Sequence, residues 1–334
     1  MTRGLTRARG LAAAVMVAAG AAHADSPRMT PAAIEVDRDT APAGRIGFGF
    51  DGGEPVDAWG VSLATSWIDQ PIRIGAGGFG PGAPASDPVR RRETVTLGAA
   101  LALGDSAVLD AAVRGSHQVG DRLAADGDPA QLAHLVFQDL RIGGRIRVAG
   151  DRDRAALLRA DVTVPTGDEA QLAGDARWTA AWSLIGRATV AGDVVIAASA
   201  GIRLHGAEVA VGDHLIGDEL FAAAGVAIPV VPAGASGPLG ALALTGELLG
   251  ALGDHVGMLA APSPLEARIG AIVRPRAGLA IGVHAGAGLD DQIGAPRARL
   301  VIELAWTPPA SPATPAGPRP PSSGADDDDA DDPP

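Results

Sequence analysis

The stretch LRIGGRIRVA (Leu140–Ala149), followed after a short break by AALLRADVTV (Ala155–Val164), decides how the rest of the chain reads. In the first, Leu140, Ile142, Ile146 and Val148 alternate with Arg141, Arg145 and Arg147. In the second, Ala156, Leu158, Ala160, Val162 and Val164 alternate with Leu157, Arg159, Asp161 and Thr163. Successive side chains of a strand point to opposite faces, so a period of two collects the bulk on one face and the charge on the other. Alternation over about ten residues is what a strand shows when lipid covers its outer face and its inner face lines an enclosed interior.

The same pattern recurs on both sides of this pair. Ala298, Leu300, Ile302, Leu304 and Trp306 oppose Arg297, Arg299 and Glu303. Leu279, Ile281, Val283, Ala285 and Ala287 oppose Ala280, Gly282, His284 and Gly286. In the first half the pattern predicts strands near 58–68, 92–103, 106–117, 136–149, 155–164 and 176–189. The second half adds 194–204, 218–229, 239–249, 265–274, 278–288 and 297–307. The segments joining them alternate between long (69–91, 118–135, 165–175) and short (Gly104-Asp105, 150–154, Val190–Asp193). Short turns at one end and longer loops at the other are the habit of membrane barrels. The expectation is an all-β, antiparallel up-and-down transmembrane β-barrel of about twelve strands, spanning residues 58–307.

Composition agrees with a barrel. Apolar residues make up 47% of the 334, yet aromatics are only 3% and Tyr is absent. A soluble core built mainly from Ala and Gly would be thin, whereas a barrel can leave its interior polar. An exported soluble β-protein also alternates; it differs in turning its charge outward. The five tryptophans (Trp59, Trp67, Trp178, Trp182, Trp306) all fall in predicted strands, where they can serve as interfacial anchors. There is no Cys, which excludes disulfides, thiolate metal sites and a Cys nucleophile. The net charge of -12 and the lack of any basic run beyond Arg90–Arg92 argue against nucleic-acid binding.

The two ends read differently from the body. Residues 1–24 have the form of a signal peptide: basic Arg3, Arg7 and Arg9, an apolar Leu11–Ala21, and an Ala22-His23-Ala24 cleavage site that leaves Asp25 first. Residues 25–57 form a mixed lead-in on the periplasmic side or a partial plug, in which Arg45–Phe50 reads as a short strand. Residues 308–334 are Pro-, Ala- and Asp-rich and cannot build a core. The run Asp326–Asp329 has no Gly-spaced ligand loop, so it reads as a solvated tail and not as a calcium site.

Enzyme signatures are weak. Gly75-Ala76-Gly77-Gly78-Phe79-Gly80 fits G-x-G-x-x-G, but prolines follow where a helix is required. No H-E-x-x-H occurs, and no metal or cofactor is expected. His117, His134, His205, His214, His255 and His284 are scattered, and the ordinary reading for them is surface histidine. Pro165-Thr166-Gly167-Asp168-Glu169 ends a strand and reads as a turn.

Gln138-Asp139-Leu140-Arg141-Ile142-Gly143, then Val162-Thr163-Val164-Pro165-Thr166-Gly167-Asp168-Glu169, form a recognisable order of motifs. Gly212-Asp213, Gly217-Asp218-Glu219-Leu220, Pro264-Leu265-Glu266-Ala267 and the last strand into Trp306-Thr307-Pro308 continue it. Over roughly residues 34–308 the chain resembles barrels of the phenol-degradation MetA-pathway transporter type, and the N-terminal barrels of myxobacterial-type OmpA-family proteins. The resemblance implies an outer-membrane barrel in a Gram-negative bacterium. Such proteins often continue through a Pro- and Asp-rich linker into a peptidoglycan-binding domain; here the sequence stops at the linker-like tail, so anchoring of that kind is not expected.

The functional expectation rests on the inner faces. Arg141, Arg145, Arg147, Arg159, Asp161, Arg203, Glu247, Glu266, Arg268, Arg297, Arg299 and Glu303 are predicted to converge on a lumen. A charged lumen can select small solutes, which points to a porin- or transporter-like channel. The partners expected are membrane lipid, the barrel-assembly machinery and small solutes. The alternatives are a structural or adhesion barrel without an open pore, and a barrel serine hydrolase acting through one of the histidines.

Overall fold

A computed structural model of the chain describes residues 58–74, 86–120, 135–168, 173–174, 177–206, 209–211, 214–232, 240–253, 264–275, 278–290 and 294–308. The signal segment with Ala22, Ala24 and Asp25, the lead-in to residue 57, the glycine-rich 75–80 and the tail from 309 onward lie outside the described residues.

The strands of the first half are β1 (Trp59–Ile74), β2 (Ser86–Ala102), β3 (Ala107–Gly120), β4 (Leu135–Phe137), β5 (Leu140–Gly150), β6 (Arg154–Val164) and β7 (Thr179–Thr189). The second half adds β8 (Val195–His205), β9 (Val209–Val211), β10 (His214–Ile216), β11 (Glu219–Val231), β12 (Ala241–Gly253), β13 (Leu265–Arg274), β14 (Leu279–Gly288) and β15 (Ala298–Trp306). Neighbours pair antiparallel in chain order, and β1 pairs with β15 from Val61↔Trp306 to Asp69↔Ala298, which closes the sheet on itself. The result is a closed antiparallel 12-stranded barrel with β4 as an additional strand. Closure leaves no sheet edge for lipid to meet, and every strand pair satisfies its backbone polar groups within the wall.

β9 and β10 form a separate small hairpin inside what sequence treats as one loop. The short connections cluster at one end. The tightest is Asp151–Asp153, where Asp151 Oδ1 accepts the N–H groups of Asp153 and Arg154 at 2.9 Å each. Gly150 enters this turn at φ +83°, and a Cβ there would strike the carbonyl of Arg154.

The outer wall carries a greasy belt, with Arg91 and Glu93 of β2 exposed beyond it. Leu63, Val95, Leu97, Val113, Leu184, Leu248, Ile269, Leu300, Ile302 and Leu304 are all exposed, Ile269 at 72%. Trp59 and Trp306 meet edge to face at 5.1 Å where the first and last strands join. Trp178 precedes β7 instead of lying within it.

Two boundaries differ from expectation for physical reasons. β1 and β2 run on past Asp69 and begin before Arg90, through a register shift between Asp69 and Ile72. Gln70, at φ +47°, carries the irregularity. Polar residues end a strand inside lipid but do not end one that rises above it. The predicted strand 136–149 is broken at Gln138-Asp139 into β4 and β5. Leu135 and Phe137 face outward before the break, as do Ile142 and Ile146 after it, so one residue is absorbed and the facing parity flips, as in a bulge.

Candidate functional site

Most charged residues of the alternating strands turn inward, and they assemble into two ion networks. The first lies on β3, β5 and β6. Asp110 of β3 sits opposite Gly143 of β5, which sits opposite Asp161 of β6. Arg159 donates through Nη1 and Nη2 to the two Asp110 oxygens, at 3.0 Å each. Its Nε donates to Asp161 Oδ2 at 2.7 Å. Arg141 Nη2 adds a bond to Asp110 Oδ1 at 3.2 Å. Arg159 is only 1% exposed. This fork-to-carboxylate geometry is the strong form of a charged hydrogen bond. Gly143 makes it fit: a Cβ there would meet Asp161 Oδ1, and would lie 2.6 Å from Arg159 Nη2.

The second network lies on β12 to β15. Glu266 Oε1 accepts from Arg268 Nε at 2.7 Å and from Arg299 Nε at 3.0 Å. Gly286 of β14 sits between Arg268 and Arg299 in the register. A Cβ on it would lie 2.6 Å from Arg268 Cγ and 2.8 Å from the Ala267 carbonyl. Beside it, His284 stands between two acids, Nδ1 at 3.5 Å from Glu247 and Nε2 at 3.9 Å from Glu303. Thr245 Oγ1 lies 3.4 Å from His284 Nδ1.

Smaller contacts complete the inner wall. Arg203 of β8 pairs with Glu219 of β11 and lies over the Phe221 ring at 5.4 Å. Arg92 donates to Gln118 at 3.1 Å, and one row further along Thr94 and Ser116 share a hydroxyl contact at 2.9 Å. At the outer end Asp139, in the break between β4 and β5, accepts the backbone N–H groups of Thr166 and Gly167 at 3.0 and 2.7 Å. Leu140 N–H returns a bond to Thr166 Oγ1 at 2.9 Å. The two motifs Gln138–Gly143 and Pro165–Asp168 are therefore one latch.

Of the residues singled out from sequence, Arg141, Arg145, Arg159, Glu247, Glu266, Arg268, Arg299 and Glu303 are buried on the inner face, and Asp161 joins them. Arg203 is there with its own partner. Arg147 is set apart at the turn end, where it donates to the Asp105 carbonyl at 2.7 Å. Arg297 precedes β15 and is exposed, so the structure does not bring it to the interior. His284 is 3% exposed, which corrects its reading as a surface histidine. Sequence reasoning also passed over Asp110, Arg92 and Asp139. The signal for Asp110 was present: it is the lone acid in its alternating run, flanked by outward Leu109 and Ala111. What sequence cannot supply is the register that sets Asp110 beside two arginines from other strands.

No protein-family model matches the chain. No curated protein matches it. Among solved structures, the chain is similar to an outer membrane channel from Pseudomonas putida F1, with TM-score 0.55 and 14% identity, over 78% of this chain and 99% of that one. The beta domain of the Bordetella autotransporter BrkA aligns at TM-score 0.40 and 15% identity, over 77% and 100% of the two chains. LpxR from Salmonella typhimurium aligns at TM-score 0.40 and 13% identity, over 74% and 99%. At such identities the likeness is one of fold: the barrel resembles outer-membrane proteins of Gram-negative bacteria.

Proposed function

We propose that this chain is an outer-membrane channel that passes small polar solutes through a narrow, charged lumen. The observation that carries the reading is the sorting of the wall: large apolar side chains are exposed outside, while the arginines and acids are buried inside. A soluble protein sorts the other way, because an exposed greasy belt in water invites association. The similarity of fold to the Pseudomonas putida F1 outer membrane channel supports this reading. Export by the signal segment, maturation at Asp25 and insertion by the barrel-assembly machinery go with it. So does kinship with the MetA-pathway type of barrel, on the order of its motifs. The twelve inner-face charges named from sequence, Arg297 and Arg147 apart, are the lining.

No enzymatic role is proposed. Single-channel recording of the purified full chain in planar bilayers tests the reading. Discrete conductance, altered by Arg145→Gln, is expected. A barrel that folds, shifts on heating in gels, and remains silent under all voltages overturns it and leaves the structural or adhesion reading in its place.

A further inference from the structure

The barrel order places the two ion networks on opposite walls. Going round from β6, strands β7, β8 and β11 come before β12; going the other way from β3, β2 and β1 come before β15. Strands β3, β5 and β6 therefore face β12 to β15 across the axis. The signs of the two walls differ. Among the described residues, Arg114, Arg141, Arg145 and Arg159 outnumber Asp110 and Asp161 on the first side. On the second, Glu247, Glu266 and Glu303 outnumber Arg268 and Arg299. The strands between lean toward the first side: Arg92 on β2 and Arg187 on β7, each next to that side, add positive charge, while Arg203 is matched by Glu219. The rest of the β7, β8 and β11 arc is mainly neutral, with Ser183, Ile185, Ala197, Ser199 and Ala223.

An excess of guanidinium on one side and of carboxylate on the other sets a field across the passage instead of along it. Low-dielectric walls focus such a field. A neutral solute gains nothing from it while losing water. An ion of single sign is drawn to one wall and repelled by the other. A solute that carries both charges a few bonds apart can turn its carboxylate to the arginine wall and its ammonium to the acid wall, and so recover part of its lost hydration on both sides. We propose, resting on the channel reading above, that the solutes this barrel favours are small zwitterions of the amino-acid kind.

The test is osmotic swelling of proteoliposomes holding the full chain, with L-serine compared with the similarly sized neutral erythritol, alongside reversal potentials in potassium chloride. The expected result is serine entry about fivefold faster than erythritol, with little preference between potassium and chloride. Glu247→Gln combined with Glu303→Gln should abolish the serine advantage and turn the pore toward chloride. Arg145→Gln on the other wall should reduce the same advantage and turn it toward potassium, which keeps the proposal testable if the first variant fails to fold. Equal rates for serine and erythritol in a barrel that conducts salt would overturn the zwitterion proposal and leave the channel standing. No conductance and no swelling with any solute would overturn both.

Discussion

The β3–β5–β6 wall and the β12–β15 wall solve one problem in two ways. Each centres on a buried carboxylate that collects guanidinium groups from two strands: Asp110 from Arg141 and Arg159, Glu266 from Arg268 and Arg299. The first wall uses both oxygens of Asp110 and adds a second acid, Asp161, to the same arginine. The second wall gathers both arginines on one oxygen and sets a histidine between two further acids. The difference teaches that the first network is a tie between strands, closed by forked bonds, while the second is looser and holds the one buried imidazole among the described residues. Buried ion pairs stabilise little in net terms, but removing one partner leaves the others stranded.

The largest effect should therefore come from Asp110→Ala. It strands two buried arginines and should lower unfolding stability by about 3–5 kcal/mol, with Glu266→Ala next in order. Urea unfolding in detergent or bilayers measures both; an equal loss from the two would erase the distinction between the walls. The glycines sharpen it further. Gly286→Ala meets the fixed Ala267 carbonyl as well as Arg268. Gly143→Ala meets only the ends of Asp161 and Arg159 side chains as its closest neighbours, which can swing aside. The first should cost about 1–3 kcal/mol and the second less, with the order reversed if the β3–β6 network is as unyielding as backbone.

A smaller effect is expected at the outer end of the first wall. Asp139→Ala leaves the Thr166 and Gly167 amides without their acceptor and should cost about 1–2 kcal/mol. Faster hydrogen exchange at those two amides would show it, while the second wall stays unchanged.

The smallest effect belongs to the turn beneath the first wall. The N–H groups of Arg154 and Asp153 hold the exposed Asp151 carboxyl below its ordinary range. A depressed carboxyl contributes stability above its unfolded pKa and loses it as pH falls through the folded value. Amide exchange at Asp153 and Arg154 should therefore rise under acid once normalised for intrinsic rates. No change relative to Asp151→Asn would remove the role of the charge.

The barrel itself was legible because period-two alternation survives in every wall strand, most plainly in Leu140–Val148 and Ala298–Trp306. Most of the inner charges were legible for the same reason, since parity alone assigns Arg145, Glu266 or Arg299 to a face. What could not be read was anything that depends on register or on a lost residue. Arg297 shares parity with Arg299, yet it lies before the strand begins, and alternation has no meaning there. Asp139 sits where the pattern breaks, and a break reads as noise until the latch to Thr166 and Gly167 is seen. His284 carries the right parity, but only the approach of Glu247 and Glu303 from strands on either side distinguishes it from an idle histidine.

The seam between β1 and β15 is bonded along its length like any other pair in the wall. It follows that the polypeptide's two ends hold no special mechanical place in the cylinder. Opening the chain in the turn between β2 and β3, and splicing Trp306 to Trp59 through a flexible bridge, should yield the same cylinder with a rotated strand order. Until that seam forms, both of its margins carry bare amides and carbonyls that the acyl phase cannot satisfy.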